Sequence, residues 1–175
     1  MDITPETYEL ALGVLAATLA CLRALLEPIS PDVWQAAPAP GEWSLYETLA
    51  HLLHVETAVI PARLRQMLAT DGAPLTSAEQ EAAPSAPEAA LAAWQAARRE
   101  NLAFLHSLSP ADLARAGEHP RYGRITAREH IIEWAYHDLE HMRQLQATLE
   151  ARLYPGIGGF RALYSAPYPP VERPD

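Results

Sequence analysis

The stretch E-W-A-Y-H-D-L-E-H-M-R-Q-L, residues 133–145, carries two histidines that are four residues apart. In an α-helix, positions i and i+4 lie one turn apart on the same face. Helical stepping places His137 and His141 at the margin of an apolar arc, beside Trp134 and Leu145. The stretch therefore predicts a helix that presents two imidazoles side by side at the edge of a buried face.

A third histidine occupies the equivalent position on another predicted helix. His51 falls at the margin of that helix's apolar arc, whereas His54 points toward its polar side. Three neutral imidazoles with an open fourth position form a catalytic zinc arrangement, and they also suit nickel or iron. The same three residues would also serve as ordinary rim histidines, with the ring body on the core and the polar edge in water.

Four segments have helical periodicity, at about residues 4–27, 44–70, 87–107 and 126–152. Capping-box patterns open the second and fourth segments, at S-L-Y-E and T-A-R-E, and Pro61 is expected to kink or briefly break the second. The connections are long and rich in proline, no strand pattern is convincing, and the tail, residues 153–175, is irregular. These features predict an all-α four-helix bundle with long connecting loops, which forms one domain over residues 1–175.

Composition restricts the class of protein further. A net charge of -9 without a basic stripe argues against nucleic-acid binding. No uncharged apolar run of about 18 residues occurs, so no membrane span is expected, and the acidic N-terminus differs from a signal peptide. Cys21 excludes an internal disulfide, fits a reducing cytoplasm, and is expected to be a small core residue because its helix is apolar.

Two carboxylates fall on apolar arcs, where an unpaired charge is costly. Glu56 could orient a ligand histidine or act as a base, or it could pair with an arginine such as Arg63. Asp138 raises the same choice, whereas Trp43 and Trp134 are expected to pack rather than to line a site. The H-D-L-E-H sequence lacks the glutamate of H-E-x-x-H, so a metalloprotease is not predicted.

Two segments together resemble the DinB/YfiT-like family of metal-dependent four-helix-bundle proteins. Residues 41–56, G-E-W-S-L-Y-E-T-L-A-H-L-L-H-V-E, are similar to the family's W-S-x-x-E-x-x-x-H-L-x-x-x-E segment. Residues 122–145 contain its G-x-x-T lead-in followed by H-x-x-x-H-x-x-Q. The resemblance implies that His51, His137 and His141 are the metal ligands, that the bundle has a mirror-variant connection order, and that the protein is a homodimer.

The resemblance also implies three alternatives for function. In the first, a divalent metal, zinc or nickel or else iron, lowers the pKa of a low-molecular-weight thiol, whose thiolate attacks an electrophilic small molecule. Arg121 and Arg124 would then hold carboxylates of the thiol. In the second, the protein is a metal-dependent hydrolase that uses Asp138 or Glu56 as its base. In the third, it is a stress-associated metal-binding protein without catalytic activity.

Overall fold

The structure, a computed structural model, describes residues 5–77, 79 and 83–168. The helices within these residues are α1 (Pro5–Leu26), α2 (Pro31–Trp34), α3 (Leu45–His54), α4 (Ile60–Ala69), α5 (Pro87–His106), α6 (Pro110–Ala114) and α7 (Ala127–Leu153). The strands are β1 (Ala73–Pro74), β2 (Ala116–His119) and β3 (Gly123–Thr126). A π-helical turn, Val55–Val59, joins α3 to α4, and a 3₁₀-helix, Tyr154–Ala162, follows α7.

The long helices form the predicted four-helix bundle. The first long helix, α1, and the start of the second, α3, each pack against both α5 and α7. Consequently α1 lies diagonally opposite α3, and α5 lies diagonally opposite α7. A diagonal step must cross the end of the bundle, which explains why the connections from α1 to α3 and from α5 to α7 are long.

The helix starts are specified locally, as the sequence predicts. The Ser44 side chain accepts a hydrogen bond from the Glu47 N–H, and the Glu47 carboxylate accepts one from the Ser44 N–H. Thr126 and Glu129 make the same reciprocal pair at the start of α7. Each box satisfies two backbone donors that a helix end leaves without a partner. The threonine expected to cap α1, residue 4, lies outside the described residues.

The predicted break near Pro61 takes the form of the π-helical turn. Ile60 donates its N–H to the carbonyl oxygen of Val55, five residues earlier, and Pro61 has no N–H to donate. One extra residue is thereby inserted into the second long helix. The turn also contains Glu56, whose side chain is 1% exposed, and such turns are frequent at functional sites.

A small sheet, which the all-α prediction does not include, lies beside the bundle, and part of it falls in residues 118–125, where the sequence predicts a loop or a short extended piece. β1 pairs parallel to β2, and β2 pairs antiparallel to β3. Its strands are only two to four residues long, too short for an alternating apolar pattern to be recognised. The sequence S-P-A-D-L-A-R-A-G, residues 109–117, predicts one short helical turn that ends at Gly117. The helix, α6, forms but ends at Ala114, and Gly117 lies within β2.

Two further expectations are wrong. Residues 31–34 of the first proline-rich connection form the short helix α2, with Pro31 at its first turn. Cys21 is exposed, because small residues also cover the outer side of α1 and composition alone does not show which side faces the core. The tail packs against α7, but Phe160 and Leu163 remain 67% and 73% exposed.

The apolar character of α1 also qualifies the expectation that no segment spans a membrane. Within the described residues, Glu6–Leu26 is long and apolar enough to cross a membrane, by length and composition only. Core helices of soluble proteins can have the same length and apolar composition. In the structure this helix packs on α5 and α7.

The core consists of two apolar clusters with a buried polar layer between them. One cluster includes Leu15, Ile60, Leu105 and Ile131, and the other includes Leu22, Leu49, Trp94 and Leu145. At the boundary, each of the four long helical segments contributes at least one buried polar residue. These residues are Thr18, Glu56, Arg98, Asn101 and Asp138.

Arg98 connects the members of this layer. It donates to Glu56 from Nη2 at 2.6 Å and to Asp138 from Nη1 at 2.6 Å. Its guanidinium carbon lies 4.8 Å from the ring centre of Trp94 and 5.3 Å from that of Trp134. Burial disfavours the charge, but the two carboxylates outweigh burial and raise the pKa of Arg98. The layer is therefore a paired ionic network rather than an isolated buried charge.

Removing Arg98 is expected to destabilise the bundle strongly. In Arg98→Met, two carboxylates stay buried without their cation, which costs about 3–5 kcal/mol of unfolding free energy. Urea denaturation followed by circular dichroism measures the loss. Arg99→Met is the matched control, because residue 99 is exposed and its removal should change stability by less than about 0.5 kcal/mol. A loss below about 1 kcal/mol in Arg98→Met would contradict the role assigned to the network.

Gly117→Ala is expected to disturb the sheet. A Cβ atom there would lie 2.3 Å from Leu75 Cδ2 and 3.0 Å from the carbonyl oxygen of Ala73, so β1 and β2 would have to separate. We expect a loss of about 1–3 kcal/mol in thermal or urea unfolding. Gly13→Ala is the control, since its Cβ meets open space within α1 and should stabilise by about 0.5–1 kcal/mol. Equal effects of the two substitutions would be inconsistent with this packing.

Candidate metal centre

The structure brings the three predicted histidines together. His51 on α3 and His137 on α7 have their Nε2 atoms 3.2 Å apart. With His141, each residue offers one ligand nitrogen, and the three nitrogens lie within 4.8 Å of one another. All three side chains are partly buried. The rim positions on two helices therefore converge on one point, as a shared ion requires.

Ion pairs close to the histidines hold α3 and α7 at this distance from each other. Asp138 follows His137 directly and is held by Arg98, while Glu56 lies five residues after His51 and is held by the same guanidinium. The two ion pairs connect the histidine-bearing helices through α5. This layer explains how residues 86 positions apart in the chain, His51 and His137, can approach within 3.2 Å.

A glutamine orients the third histidine. His141 Nδ1 lies 2.9 Å from Gln144 Oε1, so Nδ1 carries the proton and donates it, which leaves Nε2 free to bind a metal. No role for Gln144 follows from the sequence alone. The available signal was its position three residues after His141, on the same helix face, within H-x-x-x-H-x-x-Q.

The electrostatic environment keeps the imidazoles of His51 and His137 in the neutral form that can bind a metal. Burial, and then the neighbouring His141 and His137, lower the pKa of His51 to about 4. Burial and His141 also lower the pKa of His137, although Glu133 and Asp138 oppose that change. Both rings are therefore neutral at pH 7, which is the state that binds a metal.

The donor set fits a divalent metal. Two imidazole nitrogens on a tetrahedral ion, at metal–nitrogen distances of about 2.0–2.1 Å, are about 3.4 Å apart. The Nε2–Nε2 distance of 3.2 Å is close to that value. Three neutral nitrogen ligands suit zinc and nickel, and also iron.

The two tryptophans have different roles. Trp43 is 40% exposed and its ring lies parallel to that of His141, with centres 6.1 Å apart, and tilted against His51 at 5.2 Å. It lines the histidine site, so the expectation that it only packs is wrong. Trp134 is 1% exposed and lies against Arg98, as expected for a packing residue.

The two candidate catalytic carboxylates, Glu56 and Asp138, are occupied elsewhere. Arg98 binds both, and Asn101 donates a further hydrogen bond to Glu56. Burial raises the pKa of Glu56, and the hydrogen bonds from Arg98 and Asn101 oppose that rise. The partner of Glu56 is thus Arg98 rather than the expected Arg63. Among the described residues, neither carboxylate hydrogen-bonds to a histidine of the site, so a catalytic role for them stays a prediction.

The two arginines expected to bind a thiol's carboxylates lie in the β2–β3 hairpin before α7, Arg121 in its turn and Arg124 in β3. Arg124 pairs with Asp71 at 3.2 Å and with Glu118 at 3.6 Å. Arg121 is exposed and lies over the ring of Tyr122. Their role in binding a thiol stays a prediction, and Arg124 already has two carboxylate partners.

Metal content tests the histidine site. We expect about one divalent ion per chain in the wild type, and loss of it in His51→Ala and in His137→Ala, because two imidazoles alone bind weakly. His54→Ala is the matched control. It should keep its metal, because His54 follows His51 by three residues and points toward the polar side of the helix. Mass spectrometry of untagged protein measures the content. An unchanged metal content in His51→Ala would rule out a metal site at these histidines.

Gln144 provides a second test. Gln144→Leu removes the acceptor that fixes the His141 ring, and the metal affinity is expected to fall about 10–100-fold. Competition with a fluorescent chelator measures the affinity. Gln146→Leu, an exposed glutamine on the same helix, should leave it unchanged. Equal affinities in the two variants would exclude an orienting role for Gln144.

Solved structures support the fold. The chain is similar to YfiT from Bacillus subtilis, described as a probable metal-dependent hydrolase with an unusual four-helix bundle topology. The TM-score is 0.74 and the identity 18%, over 84% of this chain and 88% of that one. The four-helix bundle protein TT2238 matches with a TM-score of 0.62 and 25% identity, over 80% of this chain and 98% of that one. A candidate DinB family member from Exiguobacterium sibiricum 255-15 matches with a TM-score of 0.59 and 20% identity, over 87% and 95%.

Sequence comparison identifies the family. No curated protein matches the chain significantly. The sequence profile of the DinB superfamily matches residues 15–145, which include all three histidines of the site and every long helix except parts of the first and last. The chain therefore belongs to the DinB superfamily.

Proposed function

We propose that the protein is a metal-dependent enzyme that transfers a low-molecular-weight thiol to an electrophilic small molecule. His51, His137 and His141 would hold the divalent metal, zinc or nickel or else iron. The observation that carries the proposal is the convergence of their ligand nitrogens within 4.8 Å at a partly buried position beside Trp43. A homodimer and a cytoplasmic location, which the family resemblance and the composition suggest, remain predictions.

The chain's own residues determine what the site can do. The neutral imidazoles of His51 and His137 need not lose a proton to act as ligands. Gln144 fixes the ring of His141, and Trp43 covers part of the triad with an aromatic face. A bound divalent ion with an exchangeable position lowers the pKa of the group that it holds and so supplies a nucleophile at neutral pH.

The carboxylates favour a thiol over water as that nucleophile. Water is a much weaker acid than a thiol, whose pKa is about 8.5, and its use as a nucleophile is helped by a nearby base. Glu56 and Asp138 are both bound by Arg98, so neither is free to act as that base. A thiol needs a much smaller pKa change, which the metal alone can supply.

Hydrolysis is the second candidate. YfiT, which has the same fold, is described as a probable metal-dependent hydrolase. Glu133 lies one turn before His137 and could assist a water. Burial raises the pKa of Glu133, but contact with His130 and the charge of Arg63 hold it below the ordinary value, so Glu133 is an ionised acceptor at pH 7.

Parallel assays distinguish these functions. Metal-loaded wild type, His51→Ala and His54→Ala are incubated with a panel of thiols and a chromogenic electrophile, and separately with nitrophenyl esters and anilides. We expect thiol-dependent turnover in the wild type and in His54→Ala, with a loss of at least about 100-fold in His51→Ala because the metal is lost. Full activity after chelation would overturn the proposal. Ester or anilide cleavage without thiol transfer would support the hydrolase, and bound metal without either reaction would support a non-catalytic protein.

A further inference from the structure

Two patches account for most of the large apolar side chains that are exposed in the described part of the chain. The face patch consists of Leu10 on α1 and of Tyr136 and Leu139 on α7, which are 67%, 63% and 44% exposed. The tail patch consists of the last residue of α7 and of exposed residues in the segment that follows it. Its members are Leu153, Phe160, Leu163 and Tyr164. Exposed apolar patches of this kind mark surfaces that bind another molecule.

Helices α1 and α7 run parallel, side by side, in a register that two contacts define. The Thr18 hydroxyl donates a hydrogen bond to Asp138, and the Arg128 guanidinium lies over the Tyr8 ring. In both contacts the residue of α7 lies 120 positions after the residue of α1. Leu10 is therefore level with residue 130 of α7. Helical stepping places Leu10 and Leu139 on the outer side of their helices, along the edge that the two helices share.

The face patch belongs to a wider uncharged surface. No charged residue occurs in α1 between Glu9 and Arg23. Nevertheless, only 33% of the apolar 18-residue window in this helix is buried within the chain, and Ala17 and Cys21 are exposed. A helix that is apolar on nearly all sides is normally buried on all sides. The outer side of α1 therefore has no covering partner among the described residues.

The two patches cannot cover each other within one chain. Tyr136 and Leu153 lie on one continuous helix, about 25 Å apart along its axis. Leu10 is farther still from the tail patch, because it is level with residue 130. A second copy that is turned end to end removes this separation, since it places the tail end of one α7 over the start of the other.

We propose that two copies of this chain form a symmetric dimer, in which the α1–α7 surfaces pack antiparallel and each tail patch covers the face patch of the other copy. A twofold axis near residue 141 brings Leu10 level with Leu153 of the partner subunit. The same axis brings Glu140 close to Arg143 of the partner subunit, so the ion pair that these residues form within one chain can also form between chains. One register thus matches both the apolar and the charged residues.

The available area is sufficient for such a dimer. The 27 residues of α7 make a helix about 40 Å long, and α1 widens the surface to about 20 Å over part of that length. Together with the tail, this surface covers on the order of 600–700 Å² per copy, and specific interfaces begin at about 600 Å² per partner. A membrane is a poorer partner, because a net charge of -9 repels anionic lipids.

Sedimentation velocity and light scattering of the metal-loaded full chain, over a range of concentrations, test the dimer. We expect the mass of two chains in the wild type. Tyr136→Lys and Leu163→Lys should each raise the dissociation constant of the dimer at least about tenfold, because each places a charge in an apolar contact. Tyr122→Lys is the matched control, since this tyrosine is equally exposed but lies on the β2–β3 hairpin, outside both patches.

Cys21 provides an independent test of the register. It is the only cysteine of the chain, it is exposed, and it is level with residue 141, next to the proposed twofold axis. We expect a short bismaleimide to join two chains through Cys21, as measured by denaturing gel electrophoresis. The cross-link should persist in Tyr122→Lys and disappear in Tyr136→Lys and in Cys21→Ser.

Each outcome decides one part of the proposal. A monomer at every concentration, or equal effects of Tyr136→Lys and Tyr122→Lys, would overturn the assigned surface. A monomer that binds vesicles of anionic lipid would identify a membrane as the partner instead. A dimer without the Cys21 cross-link would overturn the antiparallel register. Dimerisation does not depend on the metal site, so His51→Ala should remain a dimer even when it has lost its metal and its turnover.

Discussion

The ionic contact of Arg98 with Glu56 and Asp138 is the constraint on which the rest of the structure depends. A buried guanidinium that binds two carboxylates at 2.6 Å each requires that three helical segments keep fixed positions relative to one another. Such networks stabilise a protein less than their number of contacts suggests, because all the charges must leave water. Their effect on arrangement is larger, since any shift leaves a charge buried without its partner.

That arrangement positions the histidines. Glu56 and Asp138 each lie close in sequence to a histidine of the site, so one guanidinium between them fixes the approach of α3 to α7. The π-helical turn that contains Glu56 contributes to this arrangement, because it sets how the second long helix continues beyond His51. The network also occupies both carboxylates, so the candidate metal site offers imidazole nitrogens as its ligands.

Toward its N-terminus, α7 contributes His130 and Glu133 to the wall of a cavity of about 330 Å³. His130 lies there with an unpartnered nitrogen, and Arg63 reaches the same volume from α4. Along this helix, His130 lies about two turns of α7 from the candidate metal centre. The small sheet contributes His119 to this wall, which gives the short strands a role beyond connecting helices.

The sequence by itself determined the features that depend on neighbours within one helix. Helix starts follow from the reciprocal caps at Ser44 and Thr126, and the pairing of His137 with His141 follows from the pitch of the helix. The position of His51 at the margin of its helix's apolar arc likewise depends only on residues of the same helix. Only the tertiary structure decided that Glu56 meets Arg98, 42 residues away, rather than Arg63, because both arginines suit the same carboxylate and only packing selects one. Strand pairing and the exposure of Cys21 were undetermined for the same reason, since each depends on which elements become neighbours.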